Sequence, residues 1–187
     1  MSLNYLKQFP KEIQAQVLRD PLVQDFLDKQ LKIIKDYGCA IEFIEDPTEE
    51  IQLAAVSRYG FAIEYIKDPS EKVQLIAVTQ DGNAIQWIKD PSEKLQLAAV
   101  TNNPFAIQHI KNPSEEIQLA AVSKYGNAIQ FIEDPSEEIQ LAAVSKYGNA
   151  IQYIENPSEK VKLAAITNDP FAIEHINFLT LSALNLE

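Results

Sequence analysis

From Ala40 to Phe171 the chain repeats one 22-residue unit six times without insertion or deletion, the copies opening at Ala40, Ala62, Ala84, Ala106, Ala128 and Ala150, with a truncated seventh at Ala172. A fixed period of this length marks a solenoid, because one unit is too small to bury its own apolar face and must lend it to a neighbour. The expected fold is all-α: an α-solenoid of six 22-residue two-helix repeats, each pairing a longer helix with a short α or 3-10 helix. Both ends depart from the repeat and read as caps. The expected organisation is an N-terminal helical cap over 1–39, tandem repeats over 40–171, and a partial seventh repeat with a C-terminal cap over 172–187, in one continuous domain.

With Ala40 as position 1, the first unit reads AIEFIEDPTEEIQLAAVSRYGF. Position 7 is Asp or Asn in every copy (Asp46, Asp68, Asp90, Asn112, Asp134, Asn156), followed by Pro, then Ser or Thr, then Glu. This pattern suits a capping box, with the Asp or Asn as cap, Pro at N1 and Glu at N3. Position 21 is Gly (Gly60, Gly82, Gly126, Gly148) or Pro (Pro104, Pro170), the first suited to a left-handed helix end and the second unable to continue a helix. The longer helix is expected from about position 8 to about position 20. Around it the apolar residues form two stripes, Leu53 and Val56 on one side with Ile51, Ala54 and Ala55 nearly opposite, as in a helix flanked by copies of itself. In the short Ala-Ile-x-aromatic-Ile segment, positions 1, 2 and 5 point inward and the aromatic sits at the boundary.

The caps carry their own signals. Pro10 to Arg19 and Asp20 to Tyr37 read as two helices, with Val23, Leu27, Leu31 and Ile34 striping the second; Phe178, Leu179, Leu181, Leu184 and Leu186 follow the last partial unit. The string PSEEIQLAAVSKYGNAIQ occurs twice, at Pro113–Gln130 and Pro135–Gln152. Its Asp-Pro-Ser-Glu helix start resembles that of HEAT-like repeats and of the leucine-rich repeat variant. Its LAAV…G.AI.YI core is similar to a repeat domain of unknown function in bacterial and viral proteins, over essentially all of residues 40–176. The resemblance implies an all-α solenoid and transfers no activity and no functional residue.

Composition narrows the function classes. A net charge of -11 disfavours direct binding of nucleic acid, whose affinity leans on Lys and Arg. No apolar run approaches the ~20 residues a membrane span needs. The N-terminal residues show no secretory pattern, and Cys39 is the one cysteine, so no internal disulfide can form. A soluble cytoplasmic protein, monomeric by preference, is the expectation.

Three features compete for a binding role. One ring recurs per repeat at position 4: Phe43, Tyr65, Trp87, His109, Phe131, Tyr153 and His175, with Tyr65, Trp87, His109, Phe131 and Tyr153 as the candidate aromatic ladder. A dry core would favour Phe or Leu throughout, so the mixture points to half-exposed rings with polar tips in water. The alternative is that each ring covers the edge of the next repeat. Gln at position 13 forms a candidate polar ladder, Gln74, Gln96, Gln118 and Gln140 with Gln52 before them. These amides can bond from unit to unit or face a partner's backbone. Tyr125 and Tyr147 project near them on a helical wheel, like Tyr59 before them. Charge varies at positions 6 and 11, with Lys67, Lys72, Lys89, Lys94 and Lys111 making a basic band between acidic zones, which reads either as a partner-selective face or as a freely drifting solvated surface.

Catalytic signals are thin. His109 and His175 are three repeats apart, roughly 25–30 Å at helix spacing, too far to share a metal. Cys39 reads as a small packed residue. The Glu pairs at positions 10 and 11 follow from capping and the helix dipole. No catalytic residue, metal site or cofactor is expected, and an enzyme is not. The leading expectation is a non-enzymatic protein- or peptide-binding repeat scaffold. The alternative is an acidic decoy that binds and blocks a nucleic-acid-binding protein.

Overall fold

A computed structural model of the chain describes residues 9–176. Its helices follow the 22-residue period, and no strand forms among the described residues: the fold is an all-α solenoid. The chain divides into two compact units, Met1–Asp90 and Pro91–Glu187. In the first, α1 (Lys11–Leu18) and α2 (Pro21–Asp36) precede α3 (Glu49–Arg58) and α4 (Glu71–Gln80), with 3-10 helices at Gly38–Phe43, Gly60–Tyr65 and Gly82–Trp87. The second holds α5 (Glu93–Asn102), α6 (Glu115–Lys124), α7 (Glu137–Lys146) and α8 (Glu159–Asn168), with 3-10 helices at Pro104–His109, Gly126–Phe131 and Gly148–Tyr153. Within the first unit α2 packs on α3 and α3 on α4; within the second, α5, α6, α7 and α8 pack in order, each on the next. Phe178 and the C-terminal leucines assigned to a cap lie outside the described residues.

Each longer helix spans ten residues, from position 10 to position 19, rather than positions 8 to 20. The difference comes from the cap. Asp or Asn at position 7 is not the N-cap: Asp46, Asp68, Asp90, Asn112, Asp134 and Asn156 all have positive φ, between 46° and 51°. Proline next in line disfavours the right-handed helical region for the residue before it, and Asp and Asn are the non-glycine residues that best tolerate the left-handed one. The Asp/Asn-Pro pair is therefore a left-handed turn. The cap is two residues later, at Thr48, Ser70, Ser92, Ser114, Ser136 and Ser158.

These hydroxyls act in two directions. The oxygen of Thr48, Ser70, Ser136 and Ser158 accepts a long bond, 3.3–3.4 Å, from the N–H three residues on. Ser70, Ser114, Ser136 and Ser158 each donate a shorter bond to the position-10 glutamate of the preceding repeat: Glu49 at 2.6 Å, Glu93 at 2.8 Å, Glu115 at 2.9 Å and Glu137 at 2.6 Å. The recurring glutamate thus stitches one repeat to the next, a charge-assisted role the capping-box reading did not assign to it.

At the other helix end, the glycines take no left-handed conformation, since no glycine has positive φ. Where position 21 is glycine, the reason is steric. A Cβ on Gly60 would stand 2.7 Å from the Ala77 carbonyl oxygen and one on Gly148 2.7 Å from that of Ala165, each on the following helix. Pro104, at the same place in its repeat, is likewise buried.

The core alternates two layers. From the 3-10 segments come the Ala and Ile at positions 1 and 2 and the Ile just after the ring; from the longer helices come positions 12, 16 and 17, for example Ile117, Ala121 and Val122, all at 0% exposure. This regroups the two stripes read from the sequence. Val56 joins Ile51 and Ala55 in the core, while Leu53 and Ala54 are half-buried. In the second unit the equivalents of those two, Leu141, Leu163 and Ala164, line a shallow groove between α7 and α8. On α2 the Val23, Leu27, Leu31 and Ile34 stripe is half-buried to buried, and Asp20 caps the helix by accepting from the Leu22 N–H at 2.8 Å.

Two substitutions test these assignments. Asp68→Ala should lower stability by about 1–2 kcal/mol, the left-handed penalty, while Asp68→Asn is nearly neutral, because Asn112 and Asn156 hold the same conformation. Gly60→Ala should cost about 1–3 kcal/mol by overpacking against α4, read as a lowered urea midpoint with unchanged slope.

Candidate functional site

The position-4 ring is the last residue of each 3-10 helix, directly before an isoleucine that is half-buried at Ile44 and buried in the five repeats that follow. Ala and Ile at positions 1 and 2 anchor the short helix in the core, and this leaves its final side chain at the margin. Tyr65 and Trp87 in the first unit, and Phe131 and Tyr153 in the second, are between 37% and 44% exposed. Phe43, at the first repeat, is 83% exposed, whereas His109 and His175 are half-buried.

In the second unit some of these rings are joined. Phe105, at position 22, meets Phe131 edge-on at 5.8 Å and Tyr125 edge-on at 5.1 Å; Tyr125 in turn lies 5.8 Å from Tyr147. Such contacts contribute about 0.5–1.5 kcal/mol each beyond area burial. Phe105 and Phe131 belong to successive 3-10 helices, so here a ring does cover its neighbour's edge while keeping part of its surface in water. Phe105 is the hub that was not among the candidate residues. Its signal was present in the sequence, since position 22 carries Phe where other repeats carry Asn, one turn before the position-4 ring.

Tyr125 and Tyr147 were grouped with the glutamines on a helical wheel, and the structure places them otherwise. Each tyrosine is the C-terminal cap residue of its helix, beside the rings. Each glutamine is near the N-terminal end and turns back: Gln52, Gln74, Gln96, Gln118 and Gln140 donate their amide N–H to the carbonyl of the proline five residues earlier, at 2.9–3.0 Å. The ladder therefore does not run from unit to unit. It ties each Asp/Asn-Pro turn to its own helix and commits one amide donor per repeat.

A cleft of about 550 Å³ opens in the second unit between the fifth and sixth repeats, with Gln130, Glu133, Asp134, Gln140, Tyr153 and Glu155 on its walls. It brings a member of each ladder, Tyr153 and Gln140, together with three carboxylates. None of the three carboxylates is ion-paired among the described residues. In the first unit, the Glu64 and then the Glu42 carboxylates beside Tyr65 hold its phenol above its ordinary range. Cys39 is an exposed thiol rather than a packed residue. Among the described residues no three His, Cys, Asp or Glu side chains are grouped so as to hold a metal ion, and no helix is long and apolar enough to cross a membrane.

Burial lowers the pKa of His109 below its ordinary 6.5. A base depressed on folding stays neutral where the unfolded chain has already taken up a proton, so its contribution to stability is present above that value and is lost as pH falls through it. Between about pH 7.5 and about pH 5.5 the melting temperature of the parent chain should therefore fall further than that of His109→Gln.

The chain matches no family model, no curated protein and no solved structure.

Proposed function

We propose that this chain is a non-enzymatic scaffold that docks a protein or an extended peptide on the ring-bearing margin of its 3-10 helices. The observation that carries the reading is the recurrence, at one repeat position, of large aromatic side chains about two-fifths exposed: Tyr65 and Trp87 in one unit, Phe131 and Tyr153 in the other, where Phe105 also links Phe131 to Tyr125 and so to Tyr147. Rings of this kind offer contact area at low cost in side-chain entropy, and their spacing by one repeat suits an extended partner. In the second unit, the cleft at Tyr153 adds depth beside the rings. The glutamines take a supporting part, holding the turns from which the position-6 and position-7 side chains project. The acidic-decoy reading is the weaker one: Glu49, Glu93, Glu115 and Glu137 are engaged by serines of the neighbouring repeats, and Lys67 and Lys89 interrupt the negative surface. The lone exposed thiol of Cys39 suits a reducing cytoplasmic setting.

Trp87 is the only tryptophan, so its emission reports directly on the rings of the first unit. Peptides selected on the intact chain from a displayed random library should shift that emission. Trp87→Ala, His109→Ala or Phe131→Ala should weaken their binding roughly tenfold or more, while the melting temperature moves only a few degrees. Unchanged affinity in all three variants defeats the proposal, and a large drop in melting temperature places the rings in the core instead.

A further inference from the structure

We infer that the cleft between the fifth and sixth repeats is a site for a cationic side chain of the partner, arginine in preference to lysine. The inference rests on the scaffold reading above and adds the chemistry of one recognised residue. Position 6 supplies Glu133 and Glu155 from successive repeats, position 7 supplies Asp134, and Tyr153 adds an aromatic wall within the same cleft of about 550 Å³. Three carboxylates, none ion-paired among the described residues, share that space with the amide-bearing Gln130 and Gln140.

The repeats of the first unit provide an internal control. At the positions of Glu133, Asp134, Tyr153 and Glu155, the second and third repeats carry Lys67, Asp68, Trp87 and Lys89. Backbone conformation at the turn is the same in both, φ 49° at Asp68 and 46° at Asp134. Packing therefore accepts either sign of charge at position 6, and the carboxylates at 133 and 155 are not there to build the fold. Metal chemistry does not account for them: the three are not grouped so as to hold a metal ion. A cleft whose negative charge is spread over its rim beside a ring suits a broad, delocalised cation. A guanidinium donates to carboxylates along its edges while its plane stacks on an aromatic face, which an ammonium does less well. Gln130 and Gln140 each already give an amide N–H to a backbone carbonyl, of Asn127 and Pro135, so their remaining capacity includes an acceptor oxygen suited to a donor-only ligand.

The test uses the full chain and short dye-labelled Gly-Ser peptides carrying arginine, lysine or glutamate, followed by fluorescence anisotropy and by backbone amide shifts. The arginine peptide should move the amides of Gln130 to Asp134 and Tyr153 to Glu155, bind more tightly than the lysine peptide, and weaken as salt is raised. Glu133→Gln with Glu155→Gln should weaken it roughly tenfold. A matched pair, Glu116→Gln with Glu138→Gln, removes the same charge from exposed helix-start positions outside the cleft and should leave binding close to that of the parent. Equal losses in the two pairs, amide shifts away from the cleft, no binding, or no preference for arginine over glutamate would each overturn the assignment. All four positions are exposed, so a retained melting temperature verifies that the variants fold. If library-selected peptides depend on Trp87 and Phe131 but arginine ignores the cleft, the scaffold stands and this site falls; the reverse pattern sinks the ring row and keeps the site.

Discussion

Burial of one repeat's apolar residues against the next is the constraint on which everything else depends. A ten-residue helix and a six-residue 3-10 helix are each too short to persist alone in water. Their stability comes from the interior positions, where Ile117, Val122, Ile129 and their counterparts lose nearly all contact with solvent. Each such side chain contributes on the order of 1.5–3 kcal/mol, against about 1 kcal/mol for a typical hydrogen bond. The serine-to-glutamate bonds thus do not supply most of the stability. They set register, because a hydroxyl and a carboxylate 2.6–2.9 Å apart tolerate little sliding between neighbouring helices.

The same constraint explains the small residues. Ala at position 16 is wholly buried, and the carbonyls of Ala77, Ala143 and Ala165 stand close against Gly60, Gly126 and Gly148 of the preceding repeats. Further bonds pin the C-terminal ends of the helices in the second unit: the Asn168 side chain donates to the Ser145 carbonyl at 2.9 Å and accepts from the Gly148 N–H at 2.8 Å, while the Lys124 ammonium reaches the Thr101 and Asn102 carbonyls. With both ends and the middle of each helix committed to neighbours, the side chains left over for function are those on the margins. These are the rings at position 4, the residues at positions 6 and 7, and the tyrosine caps. Only at such margins can Lys67 be exchanged for Glu133 without touching the core.

Much of the fold was legible because repetition multiplies weak signals. A single Ala-Ile pair says little, but the same pair every 22 residues demands an inward-facing position, and the buried Ala and Ile of positions 1 and 2 follow. The half exposure of the position-4 rings was legible for a similar reason, from the mixture of Phe, Tyr, Trp and His. The capping assignment was not. Asp-Pro-Ser-Glu is compatible with a cap at the aspartate or at the serine, and local sequence does not say which conformation the residue before proline takes. The glutamines were equally ambiguous, because an amide can bond to its own repeat or to the next one.

What the chain dictated by itself was the period, the helical class and the identity of the apolar positions, all of which rest on local geometry and on the cost of exposing hydrocarbon to water. What the tertiary structure alone decided was which groups meet across the repeats. Ser70 reaching Glu49, Phe105 touching Phe131, and Glu133 sharing a cleft with Tyr153 and Glu155 depend on the distance and rotation between neighbouring units. Those quantities emerge from side-chain packing over many residues at once, and no single repeat encodes them.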